Sequence, residues 1–169
     1  MSIAIYQASV VSLGRTLENL KNILAKGAAH AENSKIEPLV LTNMRLYPDM
    51  LPLYKQVHIA TSLSGRCVAR LAAQELPEYK DTEESFPELI ERVTNTITYI
   101  AQFKAQQLEA AADKEIEFQA GGRRVIKARG QDYLLEFILP NVYFHVTTTY
   151  NILRHGGVVL GKKDYTGDK

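Results

Sequence analysis

The residues best suited to chemistry lie on one amphipathic segment near the end of the chain. His145 and Thr149 stand one helical turn apart, in an apolar stripe that contains Ile138, Val142 and Ile152. At about 100° per residue, these side chains fall within about 40° of Ile138. We therefore expect His145 and Thr149 inside the protein, with His145 as a general base or hydrogen-bond donor.

An earlier segment carries a glutamine and a histidine that face in different directions. Gln56 lies within about 60° of Leu53 and Ala60, whereas His58 points about 140–160° away from both. The spacing predicts that Gln56 faces the interior and that His58 faces outward. On this basis His145→Ala is expected to cost about 2–4 kcal/mol of stability. His58→Ala is expected to cost no more than about 0.5 kcal/mol, unless a dimer interface covers it.

Two interpretations of the inward-facing polar residues remain open. Each buried polar group without a partner costs about 1–3 kcal/mol, so the groups satisfy one another or bind something. In the first interpretation they bond to each other and fix the register of the helices. In the second they line a pocket for a small molecule or a metal. The candidate residues are Gln56, Asn141, His145 and Thr149, with Asp49 as a helix cap or a pocket carboxylate.

The elements that must position these residues follow from the apolar periodicity. It predicts four long helices, near residues 3–29, 49–71, 85–112 and 131–154, and a short helix near 38–44. Alternating residues around a Gly-Gly pair predict a β-hairpin over 115–128. The pattern indicates an all-α four-helix bundle with a small hairpin before the last helix, in a single domain over residues 1–169.

The composition and charge of the chain limit the kinds of partner that we expect it to bind. The chain has 169 residues, with 20 basic and 19 acidic side chains and a formal charge of +1, so a nucleic-acid partner is not expected. No apolar run is long enough to span a membrane, and no secretory signal is visible. The single Cys67 follows the core line of its helix and fits a reducing, cytoplasmic setting. Phosphate-loop, dinucleotide-binding and zinc-protease motifs do not occur.

Three sequence stretches resemble a known bacterial family. They are NMRLYPDMLPL at 43–53, LPNVYFHVTT at 139–148 and LRHGGV at 153–158. Together they resemble a domain of unknown function grouped with the DinB/YfiT-like four-helix bundles. The resemblance implies an up-down-down-up bundle that forms a homodimer.

The wider DinB-like superfamily includes divalent-metal proteins and thiol-dependent transferases or isomerases. Its usual metal triad is one histidine on the second long helix and a His-x-x-x-His pair on the last. Here His145 matches the first member of that pair, and Thr149 replaces the second. The remaining position falls on Gln56 or, with a two-residue slip, on His58. The resemblance therefore implies zinc or nickel bound by His145 with His58 or Asp49, in an incomplete triad.

Two functional hypotheses follow. The first is an enzyme-like pocket in which His145 acts on a small polar substrate oriented by Gln56, Asn141 and Thr149. The second is a non-catalytic dimeric bundle that binds a ligand or has a structural role. An open volume around His145 would favour the first hypothesis, and a closed hydrogen-bonded cluster the second.

Overall fold

Four long helices form the body of the protein. The computed structural model describes residues 4–120 and 124–167. The helices are α1 (Ser12–Asn33), α3 (Leu53–Leu71), α4 (Phe86–Ala101) and α6 (Leu139–His155). The predicted all-α bundle is thereby confirmed. Within the described residues, no helix combines the length and hydropathy needed to cross a membrane.

Shorter elements connect and flank these helices. A π-helical turn precedes α1, a second π-helical segment precedes α6, and a 3-10 turn follows α4. Strands β1 and β2 form an antiparallel hairpin, which confirms the prediction for this region; its expected turn at Gly121-Gly122 lies outside the described residues. The π-helical turn is Gln7–Val11, the 3-10 turn is Ala105–Leu108 and the π-helical segment is Tyr133–Ile138. The remaining short elements are α2 (Pro38–Thr42), β1 (Glu115–Ala120), β2 (Arg124–Arg129), α5 (Gly130–Asp132) and α7 (Lys162–Thr166).

Helices α1 and α6 run parallel. Ser12 at the start of α1 shares a 3.1 Å hydrogen bond with Tyr143 near the start of α6. Gly27, further along α1, packs against Leu153 near the end of α6. A Cβ atom at Gly27 would lie 3.1 Å from the Leu153 side chain and 2.9 Å from Phe86 at the start of α4. Glycine therefore allows three helices to meet closely at this point.

Helices α3 and α4 are also parallel, because the segment 72–85 crosses back along the bundle before α4 begins. Arg92 in α4 donates to the Thr61 hydroxyl of α3 at 2.7 Å. Tyr99, two turns further on, donates to the carbonyl of Glu75 beyond the end of α3. Residues later in α4 therefore contact residues later in the chain around α3, as expected for two parallel helices.

The two parallel pairs oppose each other. Arg70 near the end of α3 donates to the Tyr133 hydroxyl, which lies before α6, at 3.0 Å. Gln56 near the start of α3 instead contacts His145 inside α6. This antiparallel pairing gives the up-down-down-up order, with the buried apolar faces of all four helices in one core.

The start of one long helix differs from the sequence expectation. The prediction that Asp49 caps α3 is wrong: the helix begins at Leu53, with Pro52 in the cap position, and Asp49 is exposed in the preceding loop. A residue before proline avoids the helical region, which keeps Leu51 outside the helix. At the start of α4, by contrast, the expected capping box is present, with the Ser85 amide donating to Glu88 at 3.0 Å.

The last helix is preceded by a wider, π-helical segment directly before its proline. Pro140 lies in the first turn of α6, directly after the π-helical segment Tyr133–Ile138. Proline has no amide hydrogen and crowds the carbonyl four residues earlier, so the regular α-helical pattern cannot continue through it. A π-helical segment absorbs this mismatch while the chain remains helical.

Candidate functional site

A hydrogen-bond chain links the loop before α3 to the imidazole of α6. Gln56 Oε1 lies 2.6 Å from His145 Nδ1, and Gln56 Nε2 donates to the Leu51 carbonyl at 2.9 Å. The Leu51 carbonyl can only accept, so the amide nitrogen of Gln56 must face it. Oε1 then accepts from His145, which places the ring proton on Nδ1. In the neutral ring, Nε2 is left with the basic lone pair.

The surroundings of His145 keep its ring neutral. Burial lowers its pKa from the ordinary value of 6.5, because desolvation disfavours the imidazolium form. The side chain is nevertheless partly exposed, and the Phe144 ring packs edge-on against it with centroids 5.3 Å apart. His145 can therefore offer Nε2 as a proton acceptor near neutral pH.

The other inward polar residues of α6 bond to their own helix. Thr149 is fully buried, as expected, and its hydroxyl donates to the His145 carbonyl at 3.0 Å. Asn141 is partly exposed, and its Nδ2 donates to the Phe137 carbonyl at 2.6 Å. Of the four candidates, the structure thus brings Gln56 and His145 into direct contact and leaves Asn141 and Thr149 satisfied locally.

His58 does not face outward, and that prediction is wrong. Its exposure is 2%. Helical spacing gave its direction relative to the apolar stripe of α3 but carried no information on what covers the opposite side. The segment 72–85 lies over it, and the ring nitrogen Nε2 is 2.8 Å from the Glu83 carbonyl. His58 is buried in a second polar cluster, formed by α3, α4 and this segment.

The tautomer of His58 is the reverse of that of His145. Because a carbonyl can only accept, Nε2 of His58 carries the proton that the Glu83 carbonyl receives. Nδ1 is buried and has no hydrogen-bond partner among the described residues; Asp81 Oδ1 is 3.9 Å away. Burial, with a smaller contribution from Arg92, lowers the pKa of His58.

Arg92 organises this second cluster and was not singled out from the sequence. Its side chain is 4% exposed, and its Nη atoms donate to Glu83 at 2.9 Å and to Asp81 and Ser62 at 2.7 and 2.9 Å. Nη2, the atom that donates to Asp81 and Ser62, also donates to the His58 carbonyl at 3.1 Å. A signal was present: Arg92 shares a helical face with buried neighbours, and an acidic run precedes the helix.

The single cysteine of the chain lies in the core. Cys67 is fully buried, and burial raises its pKa well above the usual range. A thiolate is therefore disfavoured, and the prediction that Cys67 is a small buried apolar residue is confirmed.

The donor atoms do not fit a zinc or nickel centre. Gln56 Oε1 already accepts from His145, and the Thr149 hydroxyl is buried against a carbonyl. The ring of His58 is engaged with Glu83 in the other cluster, while Asp49 is exposed in a loop. Across residues 4–120 and 124–167, no three His, Cys, Asp or Glu side chains converge as metal ligands.

The fold is similar to that of a DinB family protein of known structure. A crystal structure of a DinB family member protein from Shewanella denitrificans, at 1.83 Å resolution, matches with a TM-score of 0.89. The two chains are 37% identical, and the match covers 98% of this chain and 93% of the other. The family model for the domain of unknown function DUF1993 matches residues 5–166, and the chain belongs to that family. The comparison with curated proteins gives no match.

Proposed function

We propose that this protein binds a small polar molecule at His145 and acts on it with Nε2 as the proton acceptor. The observation that carries the proposal is the directional chain from Leu51 through Gln56 to His145. It fixes the proton on Nδ1, as an orienting partner does in many histidine-based sites. In this scheme Gln56 is a positioning residue, and His145 is the residue that contacts the substrate.

The neighbouring residues suggest the type of molecule. Asn141 lies one turn before His145 on the same helix, and its Nδ2 is used by the Phe137 carbonyl. Its side-chain oxygen is not used by that bond and is thus available as a second acceptor, one helical turn from His145. A molecule with hydroxyl, amide or amine donors complements these two acceptors.

The tautomer and the binding can be tested together by NMR. At neutral pH, long-range ¹H–¹⁵N spectra are expected to show His145 protonated at Nδ1. Small amides, alcohols and amines, screened as fragments, are expected to include compounds that shift the His145 resonances. His145→Gln should abolish this binding, whereas Thr94→Ala, at an exposed position of α4, should preserve it. A ring protonated at Nε2, or a screen without any shift at His145, would refute the proposal.

The alternative function is a non-catalytic dimeric bundle, and one surface feature favours it. Apolar side chains are exposed on the loop before α3 and on α6 beside His145: Tyr47 at 66%, Leu51 at 46% and Phe144 at 55%. Such residues are typical of the apolar centre of a homodimer interface. Light scattering at micromolar concentration is expected to give twice the mass of the chain, with Phe144→Ser shifting it toward the monomer. A clean monomer in the unmodified protein would exclude the dimer.

A further inference from the structure

A cavity lies on the opposite side of α3 from His145. It measures about 250 Å³ and is lined by α3 and by Asp81 of the segment 72–85. His58, Ser62 and Arg66 contribute to it from successive turns of α3, and Lys55 lies at one end. This volume could hold a small organic molecule.

The cavity wall contains an acceptor that lacks a donor. His58 Nδ1 is unprotonated because the ring proton is on Nε2, which donates to Glu83. The side chain is 3% exposed, and Nδ1 has no hydrogen-bond partner in the part of the chain that the structure describes. Asp81 Oδ1, at 3.9 Å, is also an acceptor and cannot satisfy it. A buried acceptor without a donor is costly, so a donor placed between these two atoms would be favoured.

The rest of the lining favours an anion. Arg92 lies 2.7 Å from Asp81 and 2.9 Å from Glu83, so its single charge offsets only part of the charge of the two carboxylates. Lys55 and Arg66 then leave the cavity with net positive charge. A planar guanidinium such as that of Arg66 can bind a carboxylate through two parallel hydrogen bonds.

Ser62 supplies a further donor beside Arg66. Its oxygen accepts from Arg92 at 2.9 Å, and this bond leaves the hydroxyl hydrogen free to donate. Ser62 and Arg66 are four residues apart and therefore neighbours on the same helical face. His58 precedes Ser62 by the same interval, so acceptor and donor groups follow one another along α3.

We propose that this cavity binds a short-chain carboxylate with a hydroxyl or ammonium group on the neighbouring carbon. The carboxylate contacts Arg66 and Ser62. An ammonium group, with three hydrogens, donates to both His58 Nδ1 and Asp81, whereas a hydroxyl, with one hydrogen, donates to His58 Nδ1. Entry requires a small movement of Asp81, whose side chain is 47% exposed. This site shares no residue with the His145 site and does not depend on the function proposed there.

Three compounds with the same carbon skeleton test the proposal: lactate, alanine and propionate. Only the first two carry a donor next to the carboxylate, as a hydroxyl and an ammonium group. Each is titrated to about 50 mM into ¹⁵N-labelled protein, because ligands of this size bind weakly. Lactate, alanine or both are expected to shift the Nδ1 resonance of His58, and the responding compound identifies the donor. Propionate is expected to bind at least about tenfold more weakly.

A charge-removing variant tests the carboxylate contact without disturbing the buried cluster. Arg66→Gln is expected to weaken binding about tenfold or more, because a charge-assisted contact is lost. Arg154→Gln removes the same charge from an exposed position of α6 and should leave binding unchanged. The proposal is overturned if neither lactate nor alanine shifts His58, if propionate binds as tightly as they do, or if Arg66→Gln binds like the unmodified protein.

Discussion

His145 and Gln56 connect the antiparallel helices α6 and α3 through a hydrogen bond of 2.6 Å. Its direction is set from outside the pair, because the Leu51 carbonyl orients the amide of Gln56. His58 is held in the opposite tautomer by the Glu83 carbonyl. One imidazole therefore has its lone pair on Nε2 and the other on Nδ1, and backbone carbonyls determine both.

Replacing the amide of Gln56 by a carboxylate should raise the pKa of His145. In Gln56→Glu a negative charge would lie beside the Nδ1 proton and would stabilise the imidazolium form. NMR titration of the His145 ring protons measures the shift. Gln119→Glu, on an exposed position of β1, adds the same charge elsewhere and is the matched control. An unchanged or lowered pKa in Gln56→Glu would contradict the assigned contact.

Truncation of His58 should destabilise the protein strongly. The ring is 2% exposed and bonds to Glu83, so His58→Ala removes buried volume and leaves a carbonyl without its donor. The expected loss in the free energy of unfolding is about 2–4 kcal/mol. Urea denaturation measures it, with the exposed His155→Ala as a control expected to cost less than about 0.5 kcal/mol. Equal small losses would show that the segment 72–85 does not cover His58 in solution.

The contrast between Gln56 and His58 shows what sequence spacing can predict about a site. Helical periodicity correctly placed Gln56 and Thr149 inside, because the apolar stripe of a helix marks the face that packs on its neighbours. It could not predict the cover over His58, which comes from a long connection without periodicity of its own. The carboxylate partners of Arg92, Asp81 and Glu83, lie on that connection too, so periodicity alone did not identify them.

Arg92 should tolerate neither truncation nor replacement by lysine. Removing it takes away the cationic partner of Asp81 and Glu83, whose side chains are 47% and 25% exposed and so remain partly solvated. The loss of these charge-assisted hydrogen bonds should cost about 1.5–3 kcal/mol. Arg92→Lys keeps the charge but loses the fork that reaches both carboxylates and Thr61, so it should recover only part of this loss. Chemical denaturation of both variants, against Arg154→Ala as a surface control, provides the comparison. Full recovery by lysine would indicate that charge alone matters here.

The helices and the hairpin were easier to predict than the residues at which they begin and end. The four helices and the hairpin follow from apolar spacing, and the Ser85 cap from its local motif. The start of α3 did not follow from Asp49, because two prolines around it hold the chain in a loop until Leu53. The π-helical segment before Pro140 was also beyond sequence periodicity, which does not distinguish a widened helical turn from a regular one.

Acid should destabilise the protein as the pH falls below 6.5. The pKa values of His145 and His58 are both lowered in the folded state, by burial in each case and also by Arg92 at His58. Below the ordinary value of 6.5 the unfolded chain therefore binds more protons than the folded chain, so the free energy of unfolding rises with pH in this window. Urea denaturation at about pH 5.5 and about pH 7.5, at constant ionic strength, should show the lower stability at acid pH. The double variant His58→Gln, His145→Gln should reduce this pH dependence, and an equal slope in both proteins would disprove its assignment to these rings.

Gly65→Ala should destabilise the protein, although alanine favours a helix more than glycine does. The reason is the close approach of Tyr79 to α3 at this position. A Cβ atom at Gly65 would overlap the Tyr79 hydroxyl, which donates to the Thr61 carbonyl at 3.3 Å. Alanine in a helix interior normally gains about 0.5–1 kcal/mol over glycine. Here overpacking should outweigh that gain, for a net loss of about 1–3 kcal/mol.

A double-mutant cycle separates this overlap from other effects of the substitution. Tyr79→Phe removes the hydroxyl that meets the new methyl group, so Gly65→Ala should cost less in that background than in the unmodified protein. Some cost should persist, because the Cζ atom of Tyr79 would still lie 3.3 Å from the added Cβ. Thermal and urea unfolding of the four proteins in the cycle give the coupling free energy. A coupling of zero would mean that the ring of Tyr79 does not pack over Gly65, and hence that the segment 72–85 does not lie along α3 as described.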